Sequence, residues 1–196
     1  MPFQKIDKHD FLMRCWEVFH LKGYHNTSMQ DLAAATGLQK AGLYHHYPTK
    51  QDLMQNVMAF ALEQFHDYVL SVASDESLPV EQRLEKMLRR NKRLVTEHRR
   101  GCFFANIALE TGRDDQFTAL IQQAMQDWIT TVSTLLSHNM PPDHARREAG
   151  RLMIEFEGSV LFYKIYNNID YLEAFIDRTV RLLGTPQKTN ASYATL

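Results

Sequence analysis

Two neighbouring side chains near the N-terminus, Gln39 and Lys40, have the chemistry to read the edges of DNA bases. A carboxamide pairs with adenine in the major groove, and an ammonium group reaches the acceptors of guanine. Groups that can donate hydrogen bonds to backbone phosphates follow within the next ten residues: Tyr44, His45, His46 and Lys50. The segment is therefore predicted to offer a polar end to a DNA groove, with the small residues Ala41 and Gly42 in its middle.

Two short helices joined by a tight turn are predicted to hold this segment. Thr27 begins the first helix with a capping box in which Gln30 is the partner. Gly37 permits a sharp turn, and the second helix then runs from about residue 39 to residue 47, where Pro48 ends it. Three leucines are placed to pack the two helices together: Leu32, Leu38 and Leu43. These are the dimensions of a helix-turn-helix, whose second helix lies in the major groove.

Helical periodicity and helix-ending residues continue through the rest of the chain. A helix from about residue 7 to residue 22 precedes the helix-turn-helix, so residues 1–50 are predicted to form a three-helix head. Further helices are predicted at about residues 50–74, 79–98, 102–111, 114–138, 141–168 and 171–183, with Asp114 as the cap of one of them. We therefore predict an all-α protein of about nine helices. Residues 51–186 would form a ligand-binding and dimerisation domain, and residues 187–196 a disordered tail.

Composition and charge narrow the class of protein. Apolar residues make up 44% of the 196 residues, which is typical of a globular chain, and no apolar run predicts a membrane-spanning helix. The charged N-terminus lacks the apolar stretch of a signal peptide, so we predict a cytoplasmic protein with no membrane partner. Residues 1–50 hold six Lys and Arg against four Asp and Glu, whereas the whole chain has a net charge of −1, and a basic head suits DNA binding. Two cysteines without metal-finger spacing predict neither a disulfide scaffold nor a bound metal, and no cofactor is expected.

Many positions between Phe11 and Leu53 agree in register with one known pattern: Phe19, Lys22-Gly23-Tyr24, Thr27-Ser28-Met29, Asp31-Leu32-Ala33, Gly37, Leu43-Tyr44-His45, Tyr47 and Lys50-Gln51-Asp52-Leu53. On these residues the segment resembles the DNA-binding head of the TetR family of transcriptional regulators. The resemblance implies a homodimer whose recognition helices enter successive major grooves of palindromic operator DNA, about 34 Å apart. The residues that we predict to contact DNA are Thr27, Ser28, Gln39, Lys40, Ala41, Gly42, Tyr44, His45, His46 and Lys50. By position, the resemblance puts Gln39, Lys40 and Gly42 near bases, and puts the backbone contacts at Ser28, Tyr44, His46 and Lys50.

Two positions depart from the family pattern. The family often has Gly followed by Ser or Thr before the Leu-Tyr pair, and Ala41 and Gly42 stand there in this chain. Position 42 therefore lacks a side chain for a base contact, and glycine costs that helix about 1 kcal/mol relative to alanine. His46 stands where a tyrosine is frequent, and it keeps a phosphate donor. Base reading is then expected to fall on three residues, Gln39, Lys40 and Tyr44.

The C-terminal body is predicted to sense a small molecule. Its segment from Gly101 to Glu110 resembles the Gly-Cys-x-x-x-Asn-x-Ala-x-Glu stretch of one TetR subgroup, some of whose members sense electrophiles or oxidants. Cys102 stands at a predicted helix N-terminus beside Arg99 and Arg100, which favours a thiolate, and an inert buried cysteine is the alternative. The predicted ligand or sensor residues are Cys102, Phe103, Asn106, Met125, Trp128 and Phe162. Cys15, on the core face of the first helix, is predicted to be structural.

A pair of glycines marks the predicted eighth helix. Gly150 and Gly158 lie eight residues apart, which places both on one side of the helix. Glycine inside a helix is costly, and the close approach of a partner helix would explain it. We predict that this helix and the ninth form a four-helix dimer interface with a second copy of the chain.

Together these features predict a ligand- or redox-responsive transcriptional regulator, a repressor released from its operator by a small-molecule effector, and not an enzyme. Effector binding or thiol modification would tilt the fourth helix and change the spacing of the two heads. Two other classes of protein stay open. Glu63 and His66 match the Glu-x-x-His motif of metal-binding helical bundles, although the motif occurs in one copy, where a di-metal bundle needs two. The other class is a helical interaction module without DNA binding.

Overall fold

The computed structural model describes residues 7–112 and 115–184, and in that part of the chain all regular structure is helical. The nine α-helices found there are α1 Lys8–Lys22, α2 Met29–Thr36, α3 Lys40–His46, α4 Lys50–Tyr68, α5 Val80–Thr96, α6 Phe103–Thr111, α7 Asp115–Leu136, α8 Pro142–Tyr166 and α9 Asp170–Gly184. The predicted all-α fold class is confirmed. The predicted cap at Asp114 and the predicted tail at residues 187–196 lie outside the described residues.

The predicted helix boundaries hold to within a few residues, with one larger difference. The fourth helix ends at Tyr68, and the stretch Leu70–Ser74 is a separate 3-10 helix rather than a continuation of α4. A second 3-10 helix, Glu97–Arg99, follows α5. Short 3-10 turns of this kind are frequent at the ends of α-helices because the last turn tightens.

The cap of α2 is one residue later than predicted. Ser28, not Thr27, is the N-cap: its hydroxyl accepts a hydrogen bond from the Asp31 amide, and the Asp31 carboxylate accepts one from the Ser28 amide at 2.8 Å. Thr27 is 2% exposed, and its hydroxyl donates to the Gly23 carbonyl at 2.6 Å. Both residues can cap a helix, but the Thr27 hydroxyl is already bonded to the Gly23 carbonyl in the turn after α1.

The described chain packs as two compact units. Unit 1 holds the described residues up to Tyr68 together with Leu94–Met125, so α4 and α6 pack in the same unit as the three head helices. Unit 2 holds Val69–Arg93 and the described residues from Gln126 onward. Packing therefore divides the chain elsewhere than residue 50, and the functional boundary predicted there stays a prediction.

Each unit has its own apolar core. In unit 1, Phe19, Leu32 and Leu53 are completely buried, and they join α1, α2 and α4 in one cluster. In unit 2, Trp128 of α7 stacks on Phe156 of α8, with ring centroids 6.2 Å apart. Side chains of this size each bury enough apolar surface to contribute about 1.5–3 kcal/mol to folding.

Candidate nucleic-acid interface

A tight turn sets the angle between α2 and α3. Gly37 caps α2 in the left-handed conformation (φ 71°), a region where glycine carries no steric penalty. The amide of Leu38 donates to the Ala33 carbonyl at 3.1 Å, which completes the turn. Leu32 and Leu43 are both completely buried, so each helix is anchored in the core of unit 1 through a leucine. The predicted packing role of these leucines agrees with this geometry.

The outward side of α3 is polar and accessible. Leu43 is the buried residue of this seven-residue helix, and the other side chains of the predicted reading segment are exposed: Gln39, Lys40, Ala41, Tyr44, His45 and His46. Lys40 Nζ lies 5.8 Å from the centroid of the Tyr44 ring, at the outer range of a cation–π contact. Gln39 occupies the N-cap position without using its side chain as a cap, so its carboxamide stays available to an external partner. The segment thus presents donors and acceptors on a helix whose opposite side is fixed.

Gly42 is not required by packing. A Cβ built at this position would meet nothing within 4 Å, and the backbone there is ordinary helix. The residue therefore weakens α3 without relieving any crowding inside the chain. In the predicted interface, position 42 has no side chain between Lys40 and Tyr44. This agrees with the expectation that neighbouring residues contact the bases instead.

The structure corrects the predicted DNA contact of Thr27 and gives Ser28 a capping role, while the DNA contact of Ser28 stays a prediction. The Thr27 side chain is buried and bonded to the Gly23 carbonyl, so its hydroxyl is not placed for a phosphate. Ser28 is exposed, but its hydroxyl both accepts from the Asp31 amide and donates to the Asp31 carboxylate at 2.7 Å. The cap therefore already uses the Ser28 hydroxyl that the sequence assigned to the DNA backbone.

Lys50, predicted as a phosphate donor, holds the loop between α1 and α2 in this structure, and its phosphate role stays a prediction. Its Nζ donates to the carbonyl oxygens of Tyr24 at 2.8 Å and Thr27 at 3.0 Å, and it lies 4.3 Å from the centroid of the Tyr24 ring. Burial lowers the pKa of Lys50, and the negative charge of Glu110 opposes that shift. An ammonium bonded to backbone carbonyls in this way fixes the residues just before α2.

An ion pair joins the end of α1 to the start of α2. Lys22 Nζ lies 2.6 Å from Asp31 Oδ1, and this bond, followed by those from Ser28, holds the pKa of Asp31 well below its usual range. Both residues are positions of the family pattern, but the pattern does not predict their pairing. The carboxylate stays charged at neutral pH, where it serves both the cap and the ion pair.

The comparisons with known protein families decide the identity of this fold. Residues 15–57 match the model described as bacterial regulatory proteins, tetR family. Residues 80–178, about half of the chain, match the model described as transcriptional regulator LmrA/YxaF-like, C-terminal domain. The chain belongs to the TetR family. TetR regulators are not enzymes; they bind operator DNA, usually as homodimers.

Individual relatives agree with the TetR assignment. The HTH-type transcriptional repressor DhaR of Mycobacterium sp. (strain GP1) is 22% identical over 82% of this chain and 83% of its own length. A TetR regulator from Legionella pneumophila superposes with a TM-score of 0.82 at 17% identity, covering 93% of this chain and all of that one. AibR, solved with isovaleryl coenzyme A and operator DNA, is 26% identical over 90% of this chain and 97% of its own, with a TM-score of 0.64. Relatives of this TetR chain thus include a named repressor and a protein seen on its operator.

Four of the six predicted sensor residues of this TetR chain lie in unit 1. Phe103 is buried, and its ring meets those of Trp16 and His20 edge-on at 5.9 and 5.4 Å. Asn106 donates from Nδ2 to the Arg100 carbonyl at 2.8 Å, so its amide nitrogen serves the backbone. Met125 is half-buried against the unit 1 core. All three side chains contribute to the packing of unit 1, and their role in binding a ligand stays a prediction.

Cys102, the fourth, is the N-cap of α6. Its sulfur accepts from the Ala105 amide at 3.5 Å, and the side chain is half-buried. The helix terminus predicted next to this thiol is therefore present, and its role as a sensor stays a prediction. Cys15 differs, because it is completely buried and burial raises its pKa to about 12, which agrees with the predicted structural role.

Trp128 and Phe162 belong to unit 2, so neither unit alone contains the predicted sensor set. Trp128 is completely buried, and its indole Nε1 has no hydrogen-bond partner among the described residues. Phe162 is 45% exposed and packs against two exposed tyrosines, Tyr166 and Tyr171, at 5.7 and 5.3 Å between ring centroids. Phe162 is thus a surface aromatic rather than a pocket residue within unit 2.

The outer side of α8 carries a row of small and large apolar residues, which we call the α8 stripe: Gly150, Ile154, Gly158, Leu161 and Ile165. Their spacing of three or four residues places them on one face of the helix. Ile154 is 76% exposed, Leu161 52% and Ile165 61%. No described atom lies within 4 Å of a Cβ built on either glycine, so no described helix of this chain approaches them closely. The two glycines could be singled out from the sequence, whereas the three large residues between and beyond them could not.

The two residues that suggested a metal-binding helical bundle, Glu63 and His66, are not part of a ligand cluster among the described residues. Glu63 is exposed on α4 and His66 is half-buried, and neither joins a group of three possible ligands among the described residues. The group found there is Asp7, His9 and Asp10, all exposed at the start of α1, where Asp7 accepts from the His9 amide as the helix cap. No described helix combines the length and apolarity needed to cross a bilayer.

Proposed function

We propose that this TetR-family chain is a transcriptional repressor that binds palindromic operator DNA as a homodimer, with one α3 in each of two successive major grooves. The main support for this proposal is a row of exposed side chains, Gln39, Lys40 and Tyr44, on a helix that the buried Leu43 anchors in the core. A rigid helix with a polar outer face is what groove reading requires. Lys40 and Gln39 would read base edges, and Tyr44, His45 and His46 would donate to phosphates.

The second copy would pack on the α8 stripe. Large apolar side chains grouped on one exposed face mark an interaction surface, and TetR regulators are usually homodimers. The glycines at positions 150 and 158 would allow two α8 helices to approach closely. Both copies would use the same face of α8, so the interface would be isologous. Its two-fold symmetry would match that of a palindromic operator.

Lys40→Ala tests the proposed reading helix. Loss of one good contact to a base edge is worth about 1–3 kcal/mol, so operator binding should weaken about 5- to 150-fold. Binding would be measured by fluorescence anisotropy on DNA fragments from upstream of this gene and its neighbours, at several salt concentrations. Lys86→Ala, which removes an exposed lysine from α5, is the control. Equal effects of the two variants would contradict the assignment of Lys40 to the DNA interface.

We further propose that a small-molecule effector releases the repressor, as the body of a TetR regulator would allow. AibR was solved with both an acyl coenzyme A and operator DNA, which supports a family body able to respond to a ligand. The buried Trp128 indole N–H of unit 2 lacks a partner among the described residues, and an acceptor on the effector would satisfy it. A compound found to release the operator should bind about tenfold more weakly to Trp128→Phe and equally well to Trp16→Phe. Equal binding to all three proteins would contradict the assignment of Trp128.

We propose that the protein is located in the cytoplasm, because operator DNA is found there and TetR regulators are generally cytoplasmic.

A further inference from the structure

The loop between α1 and α2, residues 23–28, connects directly to the DNA-reading helices. It leads into the N-cap of α2, which in turn sets the position of α3 through the Gly37 turn. Within unit 1 this loop is held from two sides. Lys50 of α4 binds its carbonyls, and Glu110 near the end of α6 binds its amide and histidine groups.

Glu110 contacts the loop at three points. Its carboxylate Oε2 accepts from the His25 amide at 3.2 Å, and its backbone carbonyl lies 3.0 Å from His25 Nε2. The carboxylate also sits over Gly23, because a Cβ built there would collide with both of its oxygens. Gly23 has φ 80°, so glycine serves both the backbone conformation and the room for Glu110.

The start of α6 is tied to α1 as well. His20 Nε2 lies 3.0 Å from the Gly101 carbonyl, just before the Cys102 cap. The short helix α6 is therefore bound to the head region at both ends, through His20 at its start and through the loop at its end. Movement of α6 would therefore act directly on the loop, through the contacts of Glu110 with His25.

We propose that Glu110 is a positioning residue for operator binding: it holds the α1–α2 loop, so that movement of α6 reaches the DNA-reading helices through this contact. The proposal rests on the proposed DNA-binding function. Glu110 is half-buried in the body part of the sequence and is not itself among the residues that present to DNA. This contact would act beside the tilt of α4 that the sequence predicts.

Gly23→Ala and Glu110→Ala form a double-mutant cycle that tests the contact, and Gly37→Ala with Glu110→Ala is the comparison cycle. Alanine strains Gly23 (φ 80°, ψ 168°) more than Gly37 (φ 71°, ψ 12°), because the conformation of Gly23 is open almost only to glycine. Alanine at position 37 meets nothing within 4 Å, whereas alanine at position 23 must displace the Glu110 carboxylate. The backbone strain cancels within each cycle, so the coupling between positions 23 and 110 reports the Glu110 contact.

Operator affinity and the thermal midpoint of unfolding would be measured for both glycine variants, each with and without the Glu110→Ala substitution. We expect Glu110→Ala alone to weaken operator binding about tenfold with an unchanged salt slope, because no phosphate contact is lost. Glu110→Gln, whose oxygen can still accept from the His25 amide, should restore most of the affinity. Gly23→Ala should weaken binding more when Glu110 is present than when it is absent, whereas the effect of Gly37→Ala should not depend on Glu110.

Two results would overturn this proposal and leave the proposed DNA-binding function standing. One is unchanged operator affinity of Glu110→Ala while the unmutated protein binds. The other is additive effects of Gly23→Ala and Glu110→Ala on both the affinity and the thermal midpoint. Absence of operator binding by the unmutated protein would instead overturn the proposed function, and this proposal with it.

Discussion

Leu161→Asp is expected to give a monomer that binds the operator about 100-fold more weakly, or worse. Leu161 is 52% exposed in the single chain and lies in the α8 stripe between Gly158 and Ile165. In the proposed dimer its side chain is buried, and an unpaired carboxylate there would lose its hydration without gaining a partner. Separate heads also lose the effective concentration that a dimer provides for the second half-site, which is worth about 10²–10⁴ in affinity.

Light scattering would give the mass of the variant in solution, and fluorescence anisotropy its operator affinity. Gln82→Asp is the matched control, because it introduces the same charge at an exposed position of α5 in the same unit. The control should stay dimeric and bind normally. A Leu161→Asp protein that remained dimeric would show that the partner copy packs on a different face.

Lys50→Ala is expected to destabilise the protein by about 1.5–3 kcal/mol, the range for hydrogen bonds to a charged group. The variant loses the bonds from Nζ to the Tyr24 and Thr27 carbonyls and the contact with the Tyr24 ring. The loop before α2 would then be less well fixed, and operator affinity should fall about tenfold. With Nζ held by these two carbonyls, Lys50 would make no phosphate contact, so the slope of log affinity against log salt should stay the same.

Urea unfolding, which measures stability, and anisotropy at several salt concentrations, which measures DNA affinity, distinguish a lysine that holds the loop from a lysine that binds a phosphate. Lys40→Ala is the comparison, since an exposed lysine of α3 should leave stability unchanged and reduce the salt slope by up to about 1. If Lys50→Ala behaved like Lys40→Ala, with normal stability and a reduced slope, the phosphate role predicted from the sequence would be correct after all.

Local signals predicted the elements of the interface well. Gly37 marks the turn because its backbone conformation favours glycine, and Leu43 marks the buried side of α3 because its neighbours are polar or small. The cap of α2 was placed one residue early. Thr27 and Ser28 are equally good caps by sequence, and the choice depends on the Gly23 carbonyl, which happens to lie within reach of Thr27.

The roles of Lys50 and Glu110 could not be predicted from the sequence. The partners of Lys50 are main-chain carbonyls, which every residue carries, so no residue type indicates them. Glu110 and His25 are 85 positions apart, and only the packing of α6 in unit 1 brings them together.

The α8 stripe is a different case. Apolar residues occur on both sides of α8, and composition alone does not separate the side that packs on α9 from the side left exposed. The two glycines indicated the exposed face because a glycine in a helix needs an explanation, whereas Ile154 or Leu161 does not.

Methylation protection of guanine N7 on the operator would show whether α3 enters the major groove, because N7 lies there. We expect two symmetric protected patches with centres about 10 base pairs apart, and loss of guanine protection within each patch for Lys40→Ala. A single patch, two patches at an unrelated spacing, or protection that persists without Lys40 would contradict the placement of α3 in successive major grooves.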